Sequence, residues 1–231
     1  MLSIQHLRKS FFRRPVLVDL TFQVGPGEIV GLMGKNGTGK STLLRMIAGL
    51  SAPDGGEISV HGHRVGATQI SSRQSVLYLG HAPGLYPGFS ARENLTFAGR
   101  LYHESADRDG IREILREVGL ERQADDPIKV YSQGMLQRLK LALAKLISWD
   151  LLLFDEPFSG LDAQGRELTA RFFQTMQRPD KSCLLVLHDL NWALTHCSRI
   201  LLLDQGKIVR DAGCGPETHT EWKRVYHSLM N

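Results

Sequence analysis

Two hydrophobic rhythms divide the chain. Near the N-terminus apolar residues alternate with polar ones, in Leu2-Ser3-Ile4-Gln5-His6-Leu7 and again in Leu20-Thr21-Phe22-Gln23-Val24, the period of half-buried strands. The turn residues Gly25-Pro26-Gly27-Glu28 follow, and then Ile29 to Met33, an apolar run that reads as a buried strand. A helix is expected from Thr42 to Leu50, stopping at Gly49 or soon after. A short strand, Glu57 to Val60, is expected after the turn Pro53-Asp54-Gly55-Gly56. From about Ala91 to Leu146 the rhythm changes. Ile111, Ile114, Leu115 and Val118, then Leu136, Leu139, Leu143, Leu146 and Ile147, recur at three- and four-residue spacing. That spacing predicts a helical lobe. Beyond it lie Leu151 to Phe154, Leu184 to Leu187, Ile200 to Leu203 and Ile208-Val209. Runs that are apolar on both faces predict parallel strands covered by helices. The expected class is α/β, with a helical sub-domain at about 91–147 inserted in a single domain spanning 1–231.

Composition narrows the choices without naming a function. A chain of 231 residues suits one α/β domain, or one with a small lobe, rather than two large domains. No apolar stretch approaches the roughly 20 residues of a membrane-spanning helix. The basic cluster Arg8 to Arg14 is interrupted by phenylalanines and has no apolar region after it, so no signal peptide is expected. Cys183, Cys197 and Cys214 are odd in number and lack metal-ligand spacing. They argue against a disulfide scaffold and fit a reducing cytoplasm. A formal charge of +4 is mildly basic and is read as a solvated surface, with no nucleic-acid partner expected.

The chemistry sits between the strands. Gly34-Lys35-Asn36-Gly37-Thr38-Gly39-Lys40-Ser41-Thr42 fits G-x-x-x-x-G-K-[ST], with a buried strand before it and a helix after it. Glycines let the backbone wrap phosphates with its N–H groups pointing inward, and the positive end of the helix adds to that field. Lys40 is expected at the β- and γ-phosphates of a bound nucleotide, and Ser41 on Mg²⁺. Asp155-Glu156 ends the run Leu151 to Phe154, and ligands of open α/β sheets sit outside the carboxyl ends of strands. Asp155 is the natural Mg²⁺ partner, leaving Glu156 to orient or deprotonate a water. His188 follows another buried run; it can hold the attacking water or be merely structural.

Taken in order, these residues resemble the ATP-binding subunit of an ABC transporter, over about Leu2 to Val209. Tyr131-Ser132-Gln133-Gly134-Met135 looks like that family's signature motif, although a Ser before a helix is by itself ordinarily an N-cap. Ser159-Gly160-Leu161-Asp162 resembles the D-loop, and His188 the switch histidine. Phe11 takes the place of the aromatic that stacks on adenine, a plain core Phe being the alternative. The resemblance implies a P-loop NTPase core with a mostly parallel sheet, an N-terminal antiparallel β sub-domain and an inserted helical sub-domain. It implies a head-to-tail dimer, with itself or with a homologous ATPase subunit. Each ATP would lie between the phosphate loop of one subunit and Ser132 and Gly134 of the other. It also implies an integral membrane subunit in a separate chain and a peripheral place on the cytoplasmic face of the cell membrane.

The chain departs from the family in two places, one loop and the signature. His81 stands where Gln is usual, in Gly80-His81-Ala82-Pro83-Gly84, and the signature has Gln133 for Gly and Met135 for Gln. A loop of that type, a Ser-x-Gly-Met signature and a short chain look similar to the ATPase of the haem exporter used in cytochrome c maturation. Short drug-, copper- or polysaccharide-export ATPases share parts of the pattern. A chromosome-structure ATPase would carry heptad coiled coils between phosphate loop and signature; here only 92 residues separate Lys40 from Ser132, without a heptad run. A ribosome-bound member would carry two cassettes, and this chain has one phosphate loop. A soluble assembly factor remains open on sequence alone.

Overall fold

The computed structural model describes residues 1–66, 75–81, 84–104, 107–176 and 178–230. The chain clusters into two compact units. One comprises Met1–Tyr78, Asp150–Glu156 and Gln177–Asn231; the other comprises Leu79–Trp149 and Pro157–Met176.

The first unit holds two sheets. β1 (Leu2–Phe11), β2 (Arg14–Val24), β4 (Gly55–Val60) and β5 (His63–Arg64) form an antiparallel sheet in the order β2-β1-β4-β5. The second sheet runs β10-β9-β3-β8-β7-β6, from β3 (Ile29–Met33), β6 (Val76–Leu79), β7 (Leu151–Asp155), β8 (Ser182–Val186), β9 (Arg199–Asp204) and β10 (Lys207–Gly213). β3 pairs in parallel with β8 and β9, and β8 in parallel with β7. Every residue of β3, β7 and β8 is buried, as expected for strands covered on both faces. The expectation for Ile208-Val209 needs correction. β10 is antiparallel to β9, with Lys207 opposite Asp204 across Gln205-Gly206, both at positive φ. That is the turn geometry that suits a hairpin's twist, and β10 alternates between exposed and half-buried positions as an edge strand does.

α1 (Lys40–Ile47) starts two residues earlier than its apolar pattern and ends at Ala48, before Gly49 at φ 70°. Its Leu43, Leu44, Met46 and Ile47 share one core with Leu2, Ile4, Leu17 and Phe22 of the antiparallel sheet and Val30, Leu32, Leu153 and Leu184 of the mostly parallel one. α6 (Leu190–His196) and α7 (His219–Met230) complete this unit.

The second unit is helical: α2 (Ala91–Leu101), α3 (Arg108–Glu117), α4 (Gln133–Leu146) and α5 (Ala163–Thr175). Each helix begins at a side-chain cap. Ser90 forms a capping box with Glu93, and Asp107, Ser132 and Asp162 accept from the third residue beyond. Such a cap is worth about 1 kcal/mol. No helix among the described residues is long and apolar enough to cross a membrane. Cys183 and Cys197 are buried free thiols, and Cys214 is a half-buried one.

Candidate active site

Three loops leave the carboxyl ends of three adjacent parallel strands, in the order β3, β8, β7. The register fixes their alignment, with Leu32 opposite Val186 and Asp155 opposite Val186 on its other side. Beyond those rungs lie the phosphate loop, His188 and Glu156.

The phosphate loop folds on its own lysine. Lys40 is 6% exposed, and its Nζ donates to the carbonyls of Gly34 and Lys35, each at 2.8 Å. Burial lowers its pKa, while the carboxylates of Glu156 and Asp155 pull it back toward the charged form. Thr38 Oγ1 donates to the Lys35 carbonyl at 2.9 Å, closing the turn. Lys35, Asn36 and Gly37 are exposed, so the loop's outer rim is open to a ligand. Gly39 caps α1 without a side-chain hydrogen bond, which leaves the first-turn amides to an anion. Ser41 and Thr42 stand in that first turn, Ser41 exposed.

Asp155 is 3% exposed at the end of β7. Glu156 follows at φ 53°, a left-handed conformation that costs a residue with a Cβ roughly 1–3 kcal/mol. It turns the chain sharply off the strand. Its Oε1 lies 2.9 Å from His188 Nε2, with both side chains partly exposed. Sequence order gives no hint of this contact, 32 residues apart; the adjacency of β7 and β8 creates it.

These groups fit ATP and Mg²⁺ chemically. The loop offers a buried cation and free amides to phosphate oxygens. A hydroxyl at Ser41 and a carboxylate at Asp155 form the sparse oxygen set that Mg²⁺ takes when substrate phosphates and waters complete its shell. Among the described residues no group of three or more His, Cys, Asp or Glu could hold a metal on its own.

Phe11 ends β1 and is 44% exposed, so it is not a core residue. Lys9 Nζ lies 5.3 Å from its ring centroid and is itself tied to Asp54 and the Ala52 carbonyl, each at 2.9 Å.

In the helical unit, Ser132 is the N-cap of α4, its Oγ accepting from Met135 N at 3.2 Å, and it is exposed. A Cβ on Gly134 would stand 3.0 Å from the Gly160 carbonyl oxygen, so the D-loop lies directly against the start of α4. Asp162 caps α5 through Gly165 N at 2.8 Å. The His81 side chain is exposed; Ala82 and Pro83 of its loop lie outside the described residues. Lys140, which sequence reasoning passed over, is 3% exposed and donates to the Gly80 and His81 carbonyls at 2.7 and 3.1 Å. The signal for it was a lysine set directly between Leu139 and Leu141, with Leu136 and Leu143 a turn away on the same helix. Further on, buried Asn94 clamps residues 86–90, accepting from Tyr86 N at 2.8 Å and donating to Ser90 O at 2.9 Å.

Known proteins resemble the chain in sequence and in fold. A family model described as ABC transporter matches residues 17–159. The linearmycin resistance ATP-binding protein LnrL of Bacillus subtilis is 32% identical over 212 residues, covering 90% of this chain and 68% of that protein. The Nod factor export ATP-binding protein I of Paraburkholderia xenovorans is 34% identical, covering 91% of this chain and 70% of that one. Among solved structures, an ATP-binding subunit of an ABC transporter superposes over the full length of both chains with a TM-score of 0.89 at 28% identity. A dimeric ATP-binding cassette in a post-hydrolysis state, bound to ADP and Pi, matches with a TM-score of 0.83 at 24% identity, covering 93% of this chain and 99% of that one; this likeness speaks to the fold. With the family model spanning more than half of its residues and relatives above 30% identity along nine-tenths of its length, the chain belongs to the ABC transporter family, as an ATP-binding ATPase.

Proposed function

We propose that the chain is the ATP-hydrolysing motor subunit of an exporter, acting on a membrane subunit carried by a separate chain. The observation that carries the hydrolytic assignment is the 2.9 Å contact between Glu156 and His188, at the ends of neighbouring parallel strands beside the phosphate loop. In this reading Lys40 and the amides of residues 34–42 hold the β- and γ-phosphates, and Phe11 stacks on the adenine. Ser41 and Asp155 hold Mg²⁺, which when bound neutralises charge on the phosphates. Glu156 takes the proton of the attacking water, and His188 holds Glu156 and the water in register. Ser132 and Gly134 serve the nucleotide of the opposite protomer in a head-to-tail dimer. The chain acts as one ATPase domain, 1–231, with the helical part at about 91–147 inserted. It sits peripherally on the cytoplasmic face of the membrane, and His81 stands in the loop that senses the partner.

The cargo follows from weaker signals. The loop around His81, the Ser132-Gln133-Gly134-Met135 signature and the short chain are what support haem export. The relatives named for linearmycin resistance and Nod factor export favour the alternative, an exporter of another cargo such as a drug. Identifying the co-purifying membrane subunit decides between them. The test of the motor itself is Glu156→Gln. It retains ATP binding, loses roughly 10²- to 10⁴-fold in turnover, and sediments as an ATP-dependent dimer. Near wild-type turnover, measured with the membrane partner present, refutes the assignment.

A further inference from the structure

The C-terminal helix reaches the loop that carries His188. α7 is fastened at two points one helical turn apart, Trp222 and Tyr226, which share a face as i and i+4. Trp222 is fully buried, and its Nε1 donates to the Gly213 carbonyl at 3.1 Å. The Arg210 guanidinium lies 4.7 Å over the indole and pairs with Glu221 at 2.6 Å. One turn on, the Tyr226 hydroxyl donates to the backbone carbonyl of His188 at 3.1 Å. Burial and then Asp189 raise the Tyr226 pKa, so the phenol stays a donor.

The segment between β8 and α6 is thereby held at three consecutive residues. Leu187 N donates to Leu32 O at 3.1 Å, Asp189 Oδ1 accepts from Trp192 N at 3.0 Å, and His188 O accepts from Tyr226. The first bond goes to the neighbouring strand β3, and the second comes from α6, the helix into which the loop leads. The third comes from an element 38 residues further along the chain. Without it the His188 carbonyl turns to water, the following peptide rotates more freely, and the imidazole loses its register with Glu156.

We propose that Tyr226 is a positioning residue for ATP hydrolysis, and that the C-terminal helix sets the hydrolytic rate by holding the His188 carbonyl. This rests on the reading of Glu156 and His188 as the hydrolytic pair. The test is Tyr226→Phe in the full chain, which keeps the ring and removes the hydroxyl. A hydrogen bond of ordinary net strength predicts a fall in kcat of roughly 2- to 12-fold, with KM for ATP unchanged. In the nucleotide-free protein, amide exchange across residues 187–189 speeds up while that of β8 does not. In a His188→Ala background, adding Tyr226→Phe changes kcat no further, since no imidazole remains to be positioned. Wild-type kcat in Tyr226→Phe, unchanged exchange at 187–189, or an equal fall in the His188→Ala background overturns the proposal. Wild-type turnover in His188→Ala alone is a separate result and overturns the underlying pair instead.

Discussion

Alanine at Gly34 is expected to cost far more than alanine at Gly37, although both glycines lie in the phosphate loop. Gly34 has φ +150°, and a Cβ there would stand 2.1 Å from the carbonyl oxygen of Leu203 in β9 and 3.2 Å from Thr38 Oγ1. The first neighbour is backbone in a central strand and cannot rotate away. Gly37 has φ +81° with nothing within 4 Å of its Cβ position. Gly37→Ala therefore carries only the left-handed backbone penalty, about 1–2 kcal/mol. Gly34→Ala adds overpacking, about 1–3 kcal/mol, to a dihedral strain of similar size, for a total of about 2–6 kcal/mol. For a chain of this length, that lowers Tm by roughly 4–24 °C against roughly 2–8 °C at Gly37. Thermal unfolding followed by circular dichroism reads the difference without nucleotide. Titration calorimetry then shows whether the displaced loop also loses ATP. Melting temperatures for the two variants within about 2 °C of one another would refute the claim that β9 sets the loop's path.

Burial pushes the Cys214 thiol up to about 11 and the Cys183 thiol up to about 12. Labelling of native protein with a thiol reagent at pH 8 is accordingly expected to be about 100-fold slower than for an unhindered thiol, to begin at Cys214, and to quicken about tenfold per pH unit toward pH 10; rapid labelling at pH 8, mapped by mass spectrometry, contradicts this. For His81, the Gln variant keeps substantial ATPase activity, while His81→Ala loses transport coupling more than nucleotide binding. Paired transport and hydrolysis assays check it, and an equal loss of binding, hydrolysis and stability in both variants gives His81 a purely structural part.

The site was legible where its parts are contiguous in sequence. Gly34 to Thr42 and Asp155-Glu156 each carry their context with them, a buried strand before the loop or under the acids. The same holds for the antiparallel sheet, whose alternation in Leu2 to Leu7 and Leu20 to Val24 is that of strands with one wet face. Legibility failed where the fold, not the neighbouring residue, defines the environment. Ile208-Val209 looked like a buried strand, but its flanks Lys207 and Arg210 fit an edge. Lys140 drew no reading from the sequence and is a buried donor to a loop 59 and 60 residues away. α7 carries its apolar residues sparsely, and what Tyr226 touches depends on where β8 ends.

The strand order also dictates when this protein can fold. β3, the strand that launches the phosphate loop, lies between β8 and β9, so both of its partners belong to residues 182–204. During synthesis the antiparallel sheet β2-β1-β4-β5 can close once residue 64 has emerged, and α2 to α4 can pack from local contacts. Ile29 to Met33 must wait for Cys183 to Val186 and for Arg199 to Leu202. Such long-range pairing is slow, because the intervening loop must be closed before the contact returns any stability. For most of translation, the five residues that become buried in β3 lack both neighbouring strands, an apolar segment of the kind prone to aggregation. The phosphate loop is thus among the first functional segments to leave the ribosome and among the last to take shape.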